Sequence, residues 1–503
     1  MNVLGGSRGT FSLGNQKLEL NSNRLMRDCL IFFIAYVVLV VSFYFIAGDS
    51  LQRVINITDM VDAKTTSGEI TTERTVKQDF IMRNDTLEYL VVKGATYDRE
   101  NNDTLLITIL DQQGTALATS ELDTKGLENG DDWTISLSNP IFGVKGQTLT
   151  LVVRSERGTP GNAVTFVYGD SYAASRFEVG AQIPENELLR VDDVPLDGTL
   201  CLSVVSSTKL AFGQYYWYGA ATVGVLLLIY LIVIVVNTKR GKETGIVRLV
   251  SFFERYSFLI KQLVSRDFKN KYKRSALGVL WSFLNPLLTM LVLYLVFSTL
   301  FQSNIRNYPV YLLSGLVCWN FFSEASSMCL MSITGNAALL TKVYVPMFIY
   351  PLSRAISSLI NFLLALVPLF AVLIITKVSL TAEFFLLPFG IVCLFLFSLG
   401  IGLILASSMV FFRDTQFLWG VIAMLWMYLT PIFYLESIIP RQWMLLYKMN
   451  PMYHIISFFR IILIENVSPE PKAYLLCLLA AIIPLTVGII IFKKTKDKFI
   501  LYI

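Results

Sequence analysis

The chain has 503 residues, 54% of them hydrophobic and 16% charged, with 42 Lys and Arg against 37 Asp and Glu for a formal charge of +5. Its apolar residues are gathered into long runs between polar stretches, which excludes a soluble globule and indicates an integral membrane protein. The net charge is modest and no nucleic-acid partner is expected, so the informative quantity is where Lys and Arg fall relative to the apolar runs.

The first run, Cys29 to Ala47, follows Arg24 and Arg27 and shows no small-residue cleavage site before Gly48 and Asp49, which favours a retained anchor at 29–47 over a cleaved signal peptide. Cations before it and an acid after it place residues 1–28 in the cytoplasm. A polar stretch, 48–213, leads to a second span at 214–236, opened by Tyr215, Tyr216, Trp217 and Tyr218 and closed by Lys239, Arg240 and Lys242. Aromatics at one end and cations at the other run this span from outside to inside, so 48–213 is expected to be extracytoplasmic.

That stretch reads as β structure. Residues 104–110, 132–138, 147–153 and 163–169 are rich in β-branched residues, partly alternating, and separated by turn clusters, which predicts an antiparallel sandwich. It resembles the jelly-roll, carbohydrate-binding-module-like domains of surface-glycan machinery. On that reading Trp133, Tyr89, Tyr97 and Tyr168 offer stacking faces to sugar rings; the competing reading makes them core aromatics. The acidic turn of Glu128, Asp131 and Asp132 has oxygens that suit calcium, or is a solvated turn. Of six cysteines, only Cys201 lies in this region, so no disulfide framework is implied.

Residues 245–264 carry apolar side chains at helical spacing around Arg248, Glu254, Arg255 and Lys261, charges too costly for a bilayer interior. An amphipathic interface helix with a basic segment is expected over 237–278. Six apolar segments follow, 280–301, 310–333, 348–376, 383–411, 417–434 and 473–492, each near the ~20 residues that cross a ~30 Å hydrocarbon core. The even count returns the C-terminus, with Lys493, Lys494, Lys496 and Lys498, to the cytoplasm. The fold class is therefore an α-helical polytopic membrane protein of about eight transmembrane helices with an inserted all-β sandwich. Glu324 and Arg354 lie inside two adjacent spans, where each needs a partner, and they are expected to pair with each other. Ser398, Gly402 and Ala406 recur at four-residue spacing, which suits close helix packing.

Six stretches in series, "RDFKNKYKRSALGVLWSFLNPLL" (266–288), "YLLSGLVCWNFFSEA" (311–325), "GNAALLTKVYVP" (335–346), "FFRDTQ" (411–416), "YLTPIFY" (428–434) and "NPMYHIISFFR" (450–460), resemble the permease subunits of ABC-2 type exporters for polysaccharide, O-antigen and teichoic acid. The resemblance covers residue 245 to the C-terminus and implies a six-helix permease domain at 279–503. It further implies a homodimer in the cell (inner or plasma) membrane, joined by two ATPase subunits that bind ATP and Mg and act on a lipid-linked glycan. A coupling helix at 335–346 (Asn336, Leu339, Leu340, Lys342, Val343, Tyr344) and the basic residues Arg266, Lys269, Lys273 and Arg274 would meet those subunits.

The resemblance also implies gate helices within 436–466, carrying Pro440, Trp443, Asn450, Pro451 and His454. Aromatic platforms suit a conduit for sugar rings. Tyr294, Phe297, Phe301, Trp319, Phe322, Tyr428, Phe433 and Tyr434, with Glu324, are candidates for the path. The sequence has no G-x-x-x-x-G-K-[ST] loop, so no catalytic site and no metal site are assigned to it. A membrane sensor, or a glycan-assembly protein with an extracytoplasmic carbohydrate-binding domain, is the alternative.

Overall fold

The structure, a computed structural model, describes residues 8–13, 16–59, 65–82, 84–169, 188–209, 211–240, 245–273, 277–301, 307–340, 345–378, 381–434 and 441–502. The chain divides into two compact units, Gln52–Gln214 and the remainder.

The Gln52–Gln214 unit is built on two antiparallel sheets. In the first, the order is Val194–Pro195, Arg190–Val191, Thr75–Ile81, Thr148–Ser155, Thr104–Leu110 and Ala116–Asp123. In the second, Thr86–Ala95 lies between Thr165–Gly169 and Leu202–Lys209 and also pairs with Asp132–Phe142. The period-2 pattern has a direct cause: Val76, Gln78 and Phe80 of one strand and Leu105, Ile107 and Ile109 of another point inward, while the residues between them face out. Gln78 is the polar member of this core. Its Nε2 donates to the Asp79 carbonyl at 2.9 Å and its Oε1 accepts the Leu200 N–H at 3.0 Å, so both ends of the amide are satisfied.

Trp133 is 3% exposed and belongs to this core, edge-on to Phe166, its Nε1–H donated to the Glu128 carbonyl at 3.2 Å. The stacking-face reading of Trp133 is thereby corrected: the ring is consumed by packing. Gly94 on the neighbouring strand exists because of it. A Cβ there would sit 2.2 Å from the indole. Gly94→Ala is expected to lower the unfolding midpoint of the sandwich by several degrees, as overpacking by a methyl does; an unchanged melt followed by Trp133 fluorescence would contradict the packing. Of the other three aromatics, Tyr89 and Tyr168 are half-buried and Tyr97 is 41% exposed, with the Arg99 guanidinium 5.0 Å from its ring centre. Among the described residues no three His, Cys, Asp or Glu side chains gather as metal ligands.

Two carboxylates in this unit titrate low. The Arg99 guanidinium and then the Gly161 N–H hold the Glu69 carboxyl below its usual range, and the Lys77 ammonium, 2.6 Å away, does the same for Asp193. A carboxylate depressed on folding contributes stability that is present above the unfolded value and lost as pH falls through the folded one. The sandwich is therefore expected to melt at progressively lower temperature as pH drops below about 4. The Glu69→Gln, Asp193→Asn variant should show a flatter pH profile; an identical slope in variant and parent would contradict it.

The second unit holds the helices: α1 (Ser22–Gln52), α2 (Ala211–Lys239), α3 (Gly245–Tyr272), α4 (Trp281–Phe301), α5 (Tyr308–Leu330), α6 (Ala337–Leu340), α7 (Ile349–Ile375), α8 (Leu387–Phe411), α9 (Thr415–Leu429), α10 (Arg441–Lys448), α11 (Pro451–Arg460), α12 (Pro471–Thr495) and α13 (Phe499–Tyr502). Among the described residues six helices are long and apolar enough to cross a membrane: 26–48, 213–238, 278–296, 349–375, 382–411 and 471–502. The fold is thus a polytopic helical protein with an inserted β unit. The expected span at 310–333 is the 23-residue α5, and that at 417–434 is the shorter α9. Helix α9 stops at Leu429 because Pro431 brings no N–H and pushes Thr430 into extended backbone.

Helix α8 packs on α12 and α5 through small residues. A Cβ on Gly402 would lie 2.6 Å from Cys329 of α5, and one on Gly400 would lie 2.4 Å from the Leu485 nitrogen of α12. The packing role expected of Gly402 holds. Tyr36 and Tyr216 tie α1 to α2 by donating to the Ala220 and Val40 carbonyls at 2.7 and 2.8 Å.

Candidate functional site

Helix α3 buries Ile260, Leu263 and Val264 against Tyr350, Leu352 and Ala355 of the segment that opens α7. Continuing that stripe by helical steps brings Asp267 and then Lys271 to the same face. A carboxylate on a buried face must be paired. The Asp267 side chain is 2% exposed; its Oδ1 forms an ion pair with the Arg354 Nη1 of α7 at 3.2 Å and accepts a hydrogen bond from the Arg266 Nη2 at 3.1 Å. One turn on, the Lys271 Nζ meets the Glu324 Oε1 of α5 at 2.7 Å, and the same oxygen accepts from the Asn361 Nδ2 at 2.7 Å. Glu324 and Arg354, expected from the sequence to pair with each other, are instead each met by an opposite charge on α3.

These residues line a cleft of about 750 Å³ together with Asn270, Ser357 and Gly335. Its rim includes the start of the expected coupling helix, which is a 3-10 turn, Thr334–Asn336, followed by α6. Asn336 is buried: its Oδ1 accepts from the Arg266 Nη2 at 3.1 Å and its Nδ2 donates to the Ser332 carbonyl at 2.7 Å. The side chain of Asn336, expected to take part in ATPase coupling, is thus tied inside the chain. Leu339 and Leu340 are half-buried against the α3–α7 core. Lys269 and Lys273 face out. Lys342, Val343, Tyr344 and Arg274 lie outside the described residues.

At the break after α9 a second polar group gathers. The Arg460 guanidinium, in a residue 9% exposed, donates to the carbonyls of Pro431 at 2.7 Å, Ile432 at 3.0 Å and Tyr311 at 3.3 Å, and lies 3.4 Å over the Tyr311 ring. Tyr308 and Tyr311 hydroxyls donate to the Phe433 and Tyr434 carbonyls at 2.9 and 2.7 Å. Backbone released by the helix break is thus satisfied by side chains, the condition for irregular chain inside an apolar bundle. Asn450 caps α11 through the Met452 N–H, accepts the Trp426 Nε1–H at 2.8 Å and donates to Thr430 at 2.8 Å, with Pro451 in the first helical turn. His454 contacts the Lys448 carbonyl at 2.6 Å and Trp443 is exposed. Pro440 lies outside the described residues. In the sequence Arg460 is only one of the residues that break 436–466 into pieces too short to span, and nothing there assigns it a partner.

The path aromatics separate into two sets. Trp319 and Phe322 are buried, Phe322 stacked on Phe397 at 4.9 Å and edge-on to Trp426 at 5.2 Å. Phe433 is buried as well. The three are corrected from path platforms to core, their faces being taken by neighbouring rings. Tyr428 is exposed, while Tyr294 and Tyr434 are half-buried. The side chains of Phe297 and Phe301 lie outside the described residues.

Helices long and apolar enough to cross a membrane, with irregular backbone between them satisfied by side chains, define a polytopic membrane protein. Residues 258–464 match the family model described as ABC-2 type transporter. The chain is 32% identical over 256 residues to an O-antigen export system permease protein RfbA of Myxococcus xanthus, covering 50% of this chain and 98% of that protein. It is 28% identical over 242 residues to a protein of the same name from Klebsiella pneumoniae, covering 48% and 93%. Against the capsule polysaccharide export inner-membrane protein CtrC of Neisseria meningitidis it is 27% identical over 205 residues, covering 40% and 77%. The chain belongs to the ABC-2 type transporter permease family.

Proposed function

We propose that this chain is the membrane-spanning permease of an ATP-driven exporter that moves a cell-surface polysaccharide, carried on a lipid, out of the cytoplasm. The observation that carries this reading is the match of its helical half to permeases named for O-antigen export, over 98% of one of them, and to one named for capsule polysaccharide export, over 77%. ATP and Mg belong to a separate ATPase subunit, since this sequence has no loop of its own to hold phosphates. Two copies of the chain form the conduit. The outward face of α3, with Lys269 and Lys273, and the turn around α6 form the surface that receives the ATPase. The Gln52–Gln214 unit is extracytoplasmic, and its exposed Tyr97, beside Arg99, is the aromatic with a face available to sugar.

Purifying the tagged chain from its native membranes tests the reading: an ATPase subunit should co-purify with it in equal number. Removal of residues 52–214 should leave that association in place. A chain that purifies without any ATPase, in the presence of ample ATPase in the same membranes, would contradict the proposal.

A further inference from the structure

One face of α3 makes three polar ties to three different elements. Asp267 reaches Arg354 on α7, Lys271 reaches Glu324 on α5, and Arg266 reaches Asn336 at the mouth of α6. The signs are crossed: α3 offers minus then plus, and the bundle answers plus then minus. This order fixes register. Sliding α3 by one turn would bring Lys271 to Arg354, like charge against like, so opposite charges are met in a single setting of the helix. Helix α7 contributes twice from one face, since Asn361, seven residues beyond Arg354, holds the same Glu324 oxygen that Lys271 holds. The oxygen of Asn336 is in turn aimed at Arg266 by the bond its amide makes to Ser332.

Satisfaction is incomplete in one place. Among the described residues the Asp267 Oδ2 and the Arg354 Nε are buried without a hydrogen-bond partner, although the two side chains form an ion pair. Arg and carboxylate pair best through two parallel bonds.

We propose that the crossed pairs Asp267–Arg354 and Lys271–Glu324, with the Arg266–Asn336 contact, are a positioning clasp that makes α3 and the α6 turn move together with α5 and α7. This rests on the permease reading: α3 and the α6 turn are where the ATPase pushes, and α5 and α7 are helices that must respond. Without the clasp the docking surface still binds and the ATPase still turns over, while the stroke is lost between α3 and the bundle.

Lys271 and Glu324 are the pair to test, because both are partly solvent-exposed, which lowers the cost of exchanging their charges. The assembled complex of chain and ATPase is prepared with Lys271→Glu, Glu324→Lys, the double exchange, and the conservative Lys271→Arg. Membrane yield, co-purified ATPase, ATP hydrolysis and polysaccharide export are measured for each. The single variants should assemble and hydrolyse ATP near the parent rate while export per ATP falls about tenfold, within the usual span for coupling between linked sites. The double exchange and Lys271→Arg should recover most of it. Loss of yield and bound ATPase in step with export in the singles would make the pair purely structural and overturn the proposal. So would singles that export normally, or a well-assembled double exchange without recovery. In each of those cases the parent complex still exports; a parent complex that moves no polysaccharide removes the permease reading itself and the clasp with it.

Discussion

Replacing Arg460 with alanine is expected to destabilise the folded protein in the membrane. The guanidinium is the shared donor for the carbonyls of Pro431, Ile432 and Tyr311, all within the buried bundle. The Pro431 carbonyl also accepts from the Tyr311 hydroxyl at 3.4 Å and the Tyr311 carbonyl from the Ser314 hydroxyl at 3.0 Å, so the loss falls chiefly on the Ile432 carbonyl. An acceptor stranded in an apolar interior costs about 1–3 kcal/mol, against a total stability of about 5–15 kcal/mol. Lost contact with the Tyr311 ring adds to this. Lysine keeps the charge but is a single point rather than a planar fork, so Arg460→Lys should recover part of the loss. Thermal unfolding in detergent should rank the parent above Arg460→Lys and that above Arg460→Ala. Three indistinguishable midpoints would mean that the α9–α10 turn is held by something else.

Gly400→Ala and Gly488→Ala should separate α8 from α12. A Cβ on Gly400 would come within 2.4 Å of the Leu485 nitrogen and 2.5 Å of the Pro484 carbonyl carbon, and one on Gly488 within 2.4 Å of the Gly400 oxygen. Every obstacle is backbone, so no side chain can swing away. Helix propensity alone favours alanine over glycine by about 1 kcal/mol. Overpacking costs about 1–3 kcal/mol where side chains can adjust, and backbone adjusts less, so the steric cost wins. Gly420 on α9 provides the control, since a Cβ there meets nothing within 4 Å. Gly420→Ala should hold or raise the melting temperature while the other two lower it. The same sign at all three positions would contradict the packing.

Length and period made much of this fold readable in the sequence. Runs of about 20 apolar residues and short alternating β-branched runs each answer to one local physical requirement, hydrocarbon thickness for the helices and a two-sided pleat for the strands. The strand expected at 104–110 is the observed one, and the small-residue spacing around Gly402 is indeed a helix contact. What escaped depends on which surface a residue meets. Trp133 carries the same composition signal whether it faces sugar or core, and only Gly94 opposite it decides. Glu324 and Arg354 were legible as charges needing partners, but the partners stand 53 positions away on α3 for one and on the same helix for the other, a choice set by how α3 lies on the bundle. The stripe Ile260, Leu263, Val264, Asp267 held that information; the dense cations around it masked the one acid on the apolar face. Lys342 and its neighbours fall in a segment where the sequence reading stands as an expectation.

Transport in a closed membrane tests the central reading most directly. The purified chain and its ATPase are reconstituted into vesicles, with lipid-linked polysaccharide supplied on the ATPase side and the polymer measured on the other. Together with ATP they should carry the polymer across, and neither should do so alone, the chain by itself turning over no nucleotide. Polymer crossing without the ATPase, or ATP hydrolysed by the chain alone, would contradict it.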